Sequence, residues 1–292
     1  MTARPYRSVL YIPASKERAM EKARGLPVDA IIFDLEDAVA VEEKVNARAL
    51  LGETLAAGGY GPRARIVRIN GLDTPWGAED AAALPAEADA VLLPKVDGPE
   101  HLDALAELVR PDVAIWAMME TPLGVLNAQA IAAHPRLEGF VLGTNDLAKD
   151  LGVRSRSDRL PLLTALQHCM LAARAHGIVA VDGVYNAFRD EEGLQAECAQ
   201  GRDLGFDGKT LIHPAQVAIA NAAFAPTADE IDLAGRQIAA FDEATSQGLG
   251  VAVVDGRIVE NLHVETARAI LAKAAAIEEL EANTHTDMPA GA

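Results

Sequence analysis

The sequence predicts an α/β fold of the (β/α)8 TIM-barrel class, extended at its C-terminus by a hairpin and a helix. Three observations predict it. Eight short apolar runs alternate with Ala-rich amphipathic segments, polar residues follow the end of every run, and 292 residues suit one large barrel domain.

The eight runs are Ser8 to Ile12, Ala30 to Asp34, Arg65 to Ile69, Ala90 to Leu93, Ala114 to Met118, Gly139 to Leu142, Ile178 to Val181 and Phe206 to Thr210. Each is rich in β-branched or aliphatic residues and bounded by turn formers, as strands buried on both faces are. Helical spacing fills the intervals: Ser15 to Arg24, Val41 to Ala57, Pro99 to Val109, Leu123 to Ala133, Arg159 to His176 and Glu191 to Leu204. Asp97-Gly98-Pro99-Glu100 offers a cap and an early proline, and Gly177 follows His176 where a helix should stop. The third unit is the least regular, because Gly58-Gly59-Tyr60-Gly61-Pro62 and Asp73-Thr74-Pro75 read as long connections.

After the eighth run the pattern changes. Pro226 to Gln247 reads as a long helix, Val251 to Val259 alternates around the hairpin signal Asp255-Gly256, and a last amphipathic helix runs from Asn261 to Glu281. A barrel closed at its eighth strand has no place for these elements. The expected division is a catalytic barrel over residues 1–225, a lid over residues 226–283 packing on a neighbouring subunit, and a polar, disordered tail over residues 284–292.

Composition narrows the function. Lys and Arg number 26 against 43 Asp and Glu, and a net charge of −17 repels phosphate backbones and anionic lipid, so neither nucleic acid nor a membrane is the expected partner. Cys169 and Cys198 are too few for a disulfide framework or a four-ligand zinc site and suit a reducing cytosol. The N-terminal apolar run is too short for a signal segment and no later stretch reaches membrane-span length, so the expected location is cytoplasmic.

In a TIM barrel the chemistry gathers where the βα loops converge, at the C-terminal ends of the strands. Just past the runs stand Ser15 and Lys16; Asp34, Glu36 and Asp37; Arg68 and Asn70; Lys95; Glu120; Thr144, Asn145 and Asp146; Asp182; and Lys209, Thr210 and His213. Glu120 and Asp146 follow consecutive runs, which brings two carboxylates within reach of one ion. With no matching His or Cys cluster, they favour a hard, oxygen-loving cation that keeps positions open for substrate, Mg2+, with Mn2+ as the alternative. Capping of the following helices is the bland reading of both. Arg68 suits a bidentate clamp on a substrate carboxylate, against a plain salt bridge to Glu36 or Asp37. Glu36 and Asp37 are read as catalytic support that orients Arg68 or the metal's waters. Arg4, Arg7, Lys16, Arg18, Lys22 and Arg24 make the first unit locally basic, and Lys16 at a helix start marks an anion site for a phosphate-bearing ligand. Lys95 and His213 either touch that ligand or cap their loops.

The blocks RSVLYIP, DLEDAV, VRINGLDTPWG, LLPKV, METPLGV, LGTNDLA, VDGVYNAFRDEEG and GKTLIHPAQV together resemble the HpcH/HpaI aldolase and citrate lyase β-subunit family from Arg7 to about Ile277. Within its CoA-ester branch, the last four blocks and VAVVDGRIVENLHVETAR are most similar to the (3S)-malyl-CoA thioesterases. The resemblance implies a trimer or hexamer, a CoA thioester substrate, and Mg2+ held by Glu120 and Asp146. It further implies that Arg68 binds the substrate carboxylate beside Asn145, and that Tyr11, Lys16, Ile212 and His213, with Lys95, lie along the CoA. In related lyases a lid Asp from the neighbouring subunit completes the site, in a Gly-x-x-x-Asp pattern. Gly256-Arg257-Ile258-Val259-Glu260 puts Glu260 at that place, one methylene longer. The expected activity is therefore hydrolysis of malyl-CoA to malate and CoA, with Glu260 as general base. The alternatives are Claisen-type cleavage of malyl-CoA or citramalyl-CoA, and a β-subunit that works only within a larger complex.

Overall fold

A computed structural model describes residues 4–286. Two compact units divide it, Tyr6–Phe224 and Ala225–His285. The first is a closed barrel of eight strands, each hydrogen-bonded in parallel to the next and the eighth to the first. Its strands are β1 (Ser8–Pro13), β2 (Ala30–Asp34), β3 (Ala64–Arg68), β4 (Ala90–Leu93), β5 (Ala114–Met119), β6 (Leu137–Leu142), β7 (Val179–Asp182) and β8 (Gly208–Leu211). The predicted runs and these strands agree to within two residues at every boundary.

Helices α1 (Glu17–Ala23), α2 (Lys44–Ala56), α3 (Gly77–Ala82), α4 (Pro99–Ala106), α5 (Pro122–Leu126), α6 (Ala128–Ala132), α7 (Thr144–Asp150), α8 (Leu163–His176), α9 (Glu191–Asp203) and α10 (Val217–Phe224) surround the strands. Two differences from the sequence expectation have local causes. The single helix expected over Leu123 to Ala133 is broken at Asn127, whose side chain donates to the Asp97 carbonyl at 2.7 Å. The irregular third unit does contain a helix, α3, entered where the Thr74 hydroxyl accepts the Gly77 N–H at 3.3 Å.

Alternation along the strands builds two apolar layers. Val9, Ala30, Ile32, Ile66, Leu92, Trp116, Met118, Val141 and Val181 fill the barrel, while Leu10, Ile31, Phe33, Val67, Val91 and Ile115 face the helices. Trp116 closes the barrel floor against Tyr6, ring centroids 5.1 Å apart, and Gly139 is the residue that admits it: a Cβ there would lie 2.6 Å from the indole. The same parity decides the mouth. One step beyond the inward apolar residues stand Tyr11, Asp34, Arg68, Glu120 and Thr210, all lining the cavity above the core.

The parity corrects one expectation. Asp182 and Lys209 follow inward-facing Val181 and precede inward-facing Thr210, so both turn away from the mouth. They are register partners on β7 and β8 and lie fully buried. Lys209 Nζ donates to Asp182 at 3.2 Å, to Glu197 at 2.6 Å and to the Gly183 carbonyl, and Arg159 Nη1 donates to both Asp182 oxygens at 2.7 Å. Burial works against the Asp182 charge, yet Lys209 and Arg159 outweigh it and hold that carboxyl below the usual range.

The second unit holds α11 (Ala228–Ser246), the antiparallel strands β9 (Ala252–Val254) and β10 (Arg257–Val259), and α12 (Asn261–Thr286). Thr227 opens α11 in a capping box with Glu230. Asp255 and Gly256 have φ of 50° and 74°, the left-handed pair that a two-residue hairpin turn needs, and Arg236 on α11 fixes Asp255 at 2.8 Å. Ala252, Val259, Val264 and Ala244 form this unit's own small core. Glu260 is exposed at the entry to α12, its N–H donating to His263 Nδ1 at 3.0 Å. The tail expected from residue 284 is helical to Thr286, and residues 287–292 lie outside the described residues. Among the described residues no helix is long and apolar enough to cross a membrane.

Candidate active site

A cavity of about 410 Å3 opens above the barrel core, lined by side chains from the ends of β1, β2, β3, β5 and β8 and from the loops after β2, β6, β7 and β8. Glu120 and Asp146 both border it. Glu120 follows β5 at an inward position and is 1% exposed; the Lys95 N–H donates to its Oε1 at 2.8 Å. Lys95 reaches that pose with φ of 51°, a left-handed conformation that costs a non-glycine residue roughly 1–3 kcal/mol. Gly143 makes room on the other side, since a Cβ there would fall 3.2 Å from Glu120 Cδ and nearer still to its Cβ and Oε2. Asp146 stands in the first turn of α7, half-buried.

Arg68 is buried between acidic neighbours. Asp34, its register partner, takes Nε and Nη2 in a two-pronged bond at 2.7 Å each. Glu36 pairs with Nη1 at 2.7 Å, Asp37 approaches to 3.6 Å, and the Tyr11 ring centroid lies 5.0 Å from the guanidinium carbon. The sequence suggested Glu36 or Asp37 as salt-bridge partners for Arg68; the fork is Asp34, which also accepts the Glu36 and Ala38 N–H groups and so shapes the whole loop. Asp34 is the acid that closes the apolar run from Ala30 to Phe33, and that sharp end is the signal that finds it in the sequence. Asn186 carries no such signal: it and Asn145 exchange side-chain amide bonds at 2.8 and 3.3 Å on the rim.

The electrostatics are dominated by crowded carboxylates. Burial pushes Glu36 up to about 8, with Arg68 opposing and Asp37 and Glu120 adding to the rise. Burial likewise pushes Glu120 up to about 7, opposed by the Lys95 N–H and Arg68 and reinforced by Asp146. Burial disfavours the Lys95 ammonium, yet Glu36, Glu120, Asp146 and Asp37 together hold it above the ordinary lysine range. Burial also raises the Tyr11 hydroxyl.

These raised carboxyls set a pH dependence. Both glutamates bind protons in the folded chain that the unfolded chain, near 4.5, has already lost, so between about pH 4.5 and 8 they make the metal-free fold less stable as pH rises. A divalent cation, if held by Glu120 and Asp146, would reverse the cost of ionising Glu120. The stabilisation by added Mg2+ is therefore expected to grow by on the order of 1–3 kcal/mol from pH 5.5 to 8, as the cation ceases to compete with a proton on Glu120. Glu120→Gln should flatten that rise. Differential scanning calorimetry with and without Mg2+ measures this; stabilisation by Mg2+ that does not change with pH contradicts it.

Among the described residues no three His, Cys, Asp or Glu side chains converge into a ready-made metal cluster. Two carboxylates with open positions beside them still fit Mg2+, which keeps several waters and takes one or two protein carboxylates plus substrate oxygens. The buried, proton-retaining Glu120 beside Asp146 is the sign of a place where positive charge is wanted. Of the other sequence candidates, Tyr11, Asp37, Asn145 and Ile212 line the cavity. Lys16 is exposed, 3.9 Å from Glu43, and His213 is exposed with Nδ1 accepting the Ala215 N–H at 3.1 Å.

Comparison with known proteins fits this geometry. The HpcH/HpaI aldolase/citrate lyase family matches residues 7–214. A (3S)-malyl-CoA thioesterase of Cereibacter sphaeroides is 66% identical over 282 residues, covering 96% of this chain and 99% of the relative. Citrate lyase subunit beta of Escherichia coli is 37% identical over 283 residues, covering 93% and 94%. Among solved structures, CitE of Mycobacterium tuberculosis in complex with magnesium, acetoacetate and coenzyme A superposes with a TM-score of 0.78 at 31% identity, covering 94% of this chain and 99% of that one.

Proposed function

This chain belongs to the HpcH/HpaI aldolase/citrate lyase family, and from that premise we propose that it is a Mg2+-dependent enzyme hydrolysing (S)-malyl-CoA to malate and CoA. The observation that carries the proposal is the meeting of Glu120 and Asp146 in one cavity beside buried Arg68. The 66% identity to a malyl-CoA thioesterase supports hydrolysis over cleavage.

In this reading Glu120 and Asp146 hold the cation, which supplies Lewis acidity and fixed positive charge against the malyl carboxylate and hydroxyl. The Lys95 N–H fixes the Glu120 carboxylate, so the ligand set costs no reorganisation when substrate arrives. Arg68, anchored by Asp34 through Nε and Nη2, turns Nη1 to the substrate carboxylate. Glu36, at 2.7 Å from Nη1, and Asp37, at 3.6 Å, orient the guanidinium from the loop after β2. Asn145 contacts the substrate from the rim. Tyr11, Lys16, Lys95, Ile212 and His213 accompany the CoA moiety. Glu260, supplied by a neighbouring copy in a trimer or hexamer, accepts a proton from water as that water attacks the thioester carbonyl and CoA thiolate departs. The same proposal lets Mn2+ replace Mg2+ and places the enzyme in the cytoplasm, in keeping with free, buried Cys169 and Cys198.

Purified protein with malyl-CoA is expected to release free thiol with Mg2+, to stop on chelation and to resume when Mg2+ is restored. Thiol release that ignores chelation overturns the metal's role. Glu260→Ala is expected to slow thiol release by about 10²–10⁴-fold. Glu260→Asp, which withdraws the carboxylate by about one bond, should raise the glyoxylate-to-thiol ratio by about tenfold or more. Unaltered hydrolysis in Glu260→Ala would remove Glu260 from the mechanism.

A further inference from the structure

The loop after β4 is pinned to the loop after β5 by side chains that do not line the cavity. By its place in the sequence Asp97 reads as a cap for α4, yet Gly98 takes the cap position with no side-chain bond, and the Asp97 carboxylate pairs elsewhere. It accepts a hydrogen bond from the hydroxyl of Thr121, the residue directly after Glu120. Its main chain is tied as well. The Asp97 carbonyl accepts the Asn127 side-chain N–H at 2.7 Å, and the Asp97 N–H donates to His101 Nδ1 at 3.4 Å.

Two further contacts hold the same pair of loops. Thr121 Oγ1 accepts the Gly124 N–H at 3.0 Å, so one hydroxyl both caps α5 and reaches the preceding loop. Gly124 lies so close to that loop that a Cβ on it would fall 2.2 Å from the carbonyl oxygen of Val96, which is fully buried. Immediately before these anchors stands Lys95, with φ of 51° and its N–H on Glu120 Oε1 at 2.8 Å. A non-glycine residue stays in such a conformation only where its surroundings over-determine it, and the contacts of Val96 and Asp97 supply that restraint. The chain of bonds therefore leaves Glu120 through Lys95, runs along the β4 loop to Asp97, and returns through Thr121 to the residue beside Glu120.

We propose that Asp97 and Thr121 are positioning residues for the cation: their bond keeps the Lys95 N–H aimed at Glu120 Oε1 and so presets the carboxylate that takes Mg2+. The proposal rests on the reading that Glu120 and Asp146 hold the cation. Both residues act through the β4 loop and touch neither the ion nor the substrate. A metal ligand already fixed by its own partner gives up little freedom on binding, and losing such support weakens metal binding by about 10–100-fold.

The test compares wild type with Thr121→Val, Thr121→Ser, Asp97→Ala and Asp97→Asn in two assays. One is calorimetric titration with Mg2+. The other is hydrogen exchange of the Lys95 amide in the metal-free protein. Thr121→Val removes the hydroxyl at nearly constant volume, whereas Asp97→Ala removes its acceptor and leaves the α5 cap on Gly124 in place. Each is expected to weaken Mg2+ binding by about 10–100-fold and to speed exchange of the Lys95 amide by about tenfold or more. Thr121→Ser keeps both bonds and Asp97→Asn gives up only the charge on the acceptor, so both should bind Mg2+ within about threefold of wild type. If Thr121→Val does not fold, Asp97→Ala against Asp97→Asn decides the question. If wild type binds Mg2+ and Asp97→Ala binds it equally tightly with the Lys95 amide equally protected, the positioning role is overturned while the metal assignment stands. A lowered thermal midpoint in Thr121→Val with unchanged Mg2+ affinity likewise overturns it, leaving Thr121 as a helix cap alone. If wild type itself binds no Mg2+, the metal assignment fails and takes this inference with it.

Discussion

Glu120→Gln is expected to lower thioester hydrolysis by about 10²–10³-fold and to abolish stabilisation by Mg2+ while leaving the barrel folded. The substitution keeps the volume and retains a carbonyl oxygen to accept the Lys95 N–H, so the 2.8 Å bond that orients the side chain survives. What is lost is the charge. In the metal-free protein that charge is a liability, held up to about 7 by burial and by Asp146, so at pH 8 the thermal midpoint of metal-free Glu120→Gln should match or exceed that of wild type. A variant that is inactive yet no less stable separates a chemical role from a structural one. Asp146→Asn should behave alike, and the double variant should lose little more than either single one, because two ligands of one ion act as a unit. Mg2+ titration followed by calorimetry, with thiol release as the second readout, measures both effects. Retained Mg2+ stabilisation in Glu120→Gln would contradict the assignment.

Lys209→Met is expected to cost about 3–5 kcal/mol of stability, as removing one partner of a buried ion pair does. Lys209 is fully buried and is shared by Asp182, Glu197 and the Gly183 carbonyl. Methionine fills the space and leaves two acidic groups with Arg159 as their remaining cation, itself held at φ of 52°. At roughly 2 °C per kcal/mol for a chain of this size, the thermal midpoint should fall on the order of 5–10 °C. Pairing Lys209→Met with Asp182→Asn should recover part of the loss, since removing both members of a buried pair costs less than removing one. A midpoint within about 1–2 °C of wild type, measured by scanning calorimetry, contradicts a structural role for the network.

Much of this arrangement is legible in the sequence, and the reasons differ from residue to residue. The eight strands are readable because both faces of a barrel strand are apolar, which leaves runs such as Ala30 to Asp34 and Ala90 to Leu93 with sharp ends. The Asp255-Gly256 turn is readable because few sequences tolerate two successive left-handed residues. Glu120, directly after β5, and Asp146, in the first turn of the helix that follows β6, stand out as carboxylates just past apolar strands. The same continuous apolarity hides which face each strand-end residue takes. Val179, Ala180 and Val181 carry no alternation, so nothing in that run tells that Asp182 turns outward to Lys209 and not into the mouth. Partner choice is likewise hidden. Asp34, not Glu36 or Asp37 alone, forks Arg68 because β2 and β3 bring the two side by side, a register the sequence does not state. The break at Asn127 and the left-handed Lys95 depend on tertiary hydrogen bonds, to Asp97 and to Glu120, which no local pattern announces.

The most direct measurement is a product balance in oxygen-labelled water. Malyl-CoA turned over by the Mg2+-loaded protein should give malate and free CoA in equal amounts, with one labelled oxygen in a malate carboxylate, as attack of water on the thioester requires. Acetyl-CoA and glyoxylate appearing in equal amounts, with no labelled malate, would show that the carbon–carbon bond is the one this site breaks.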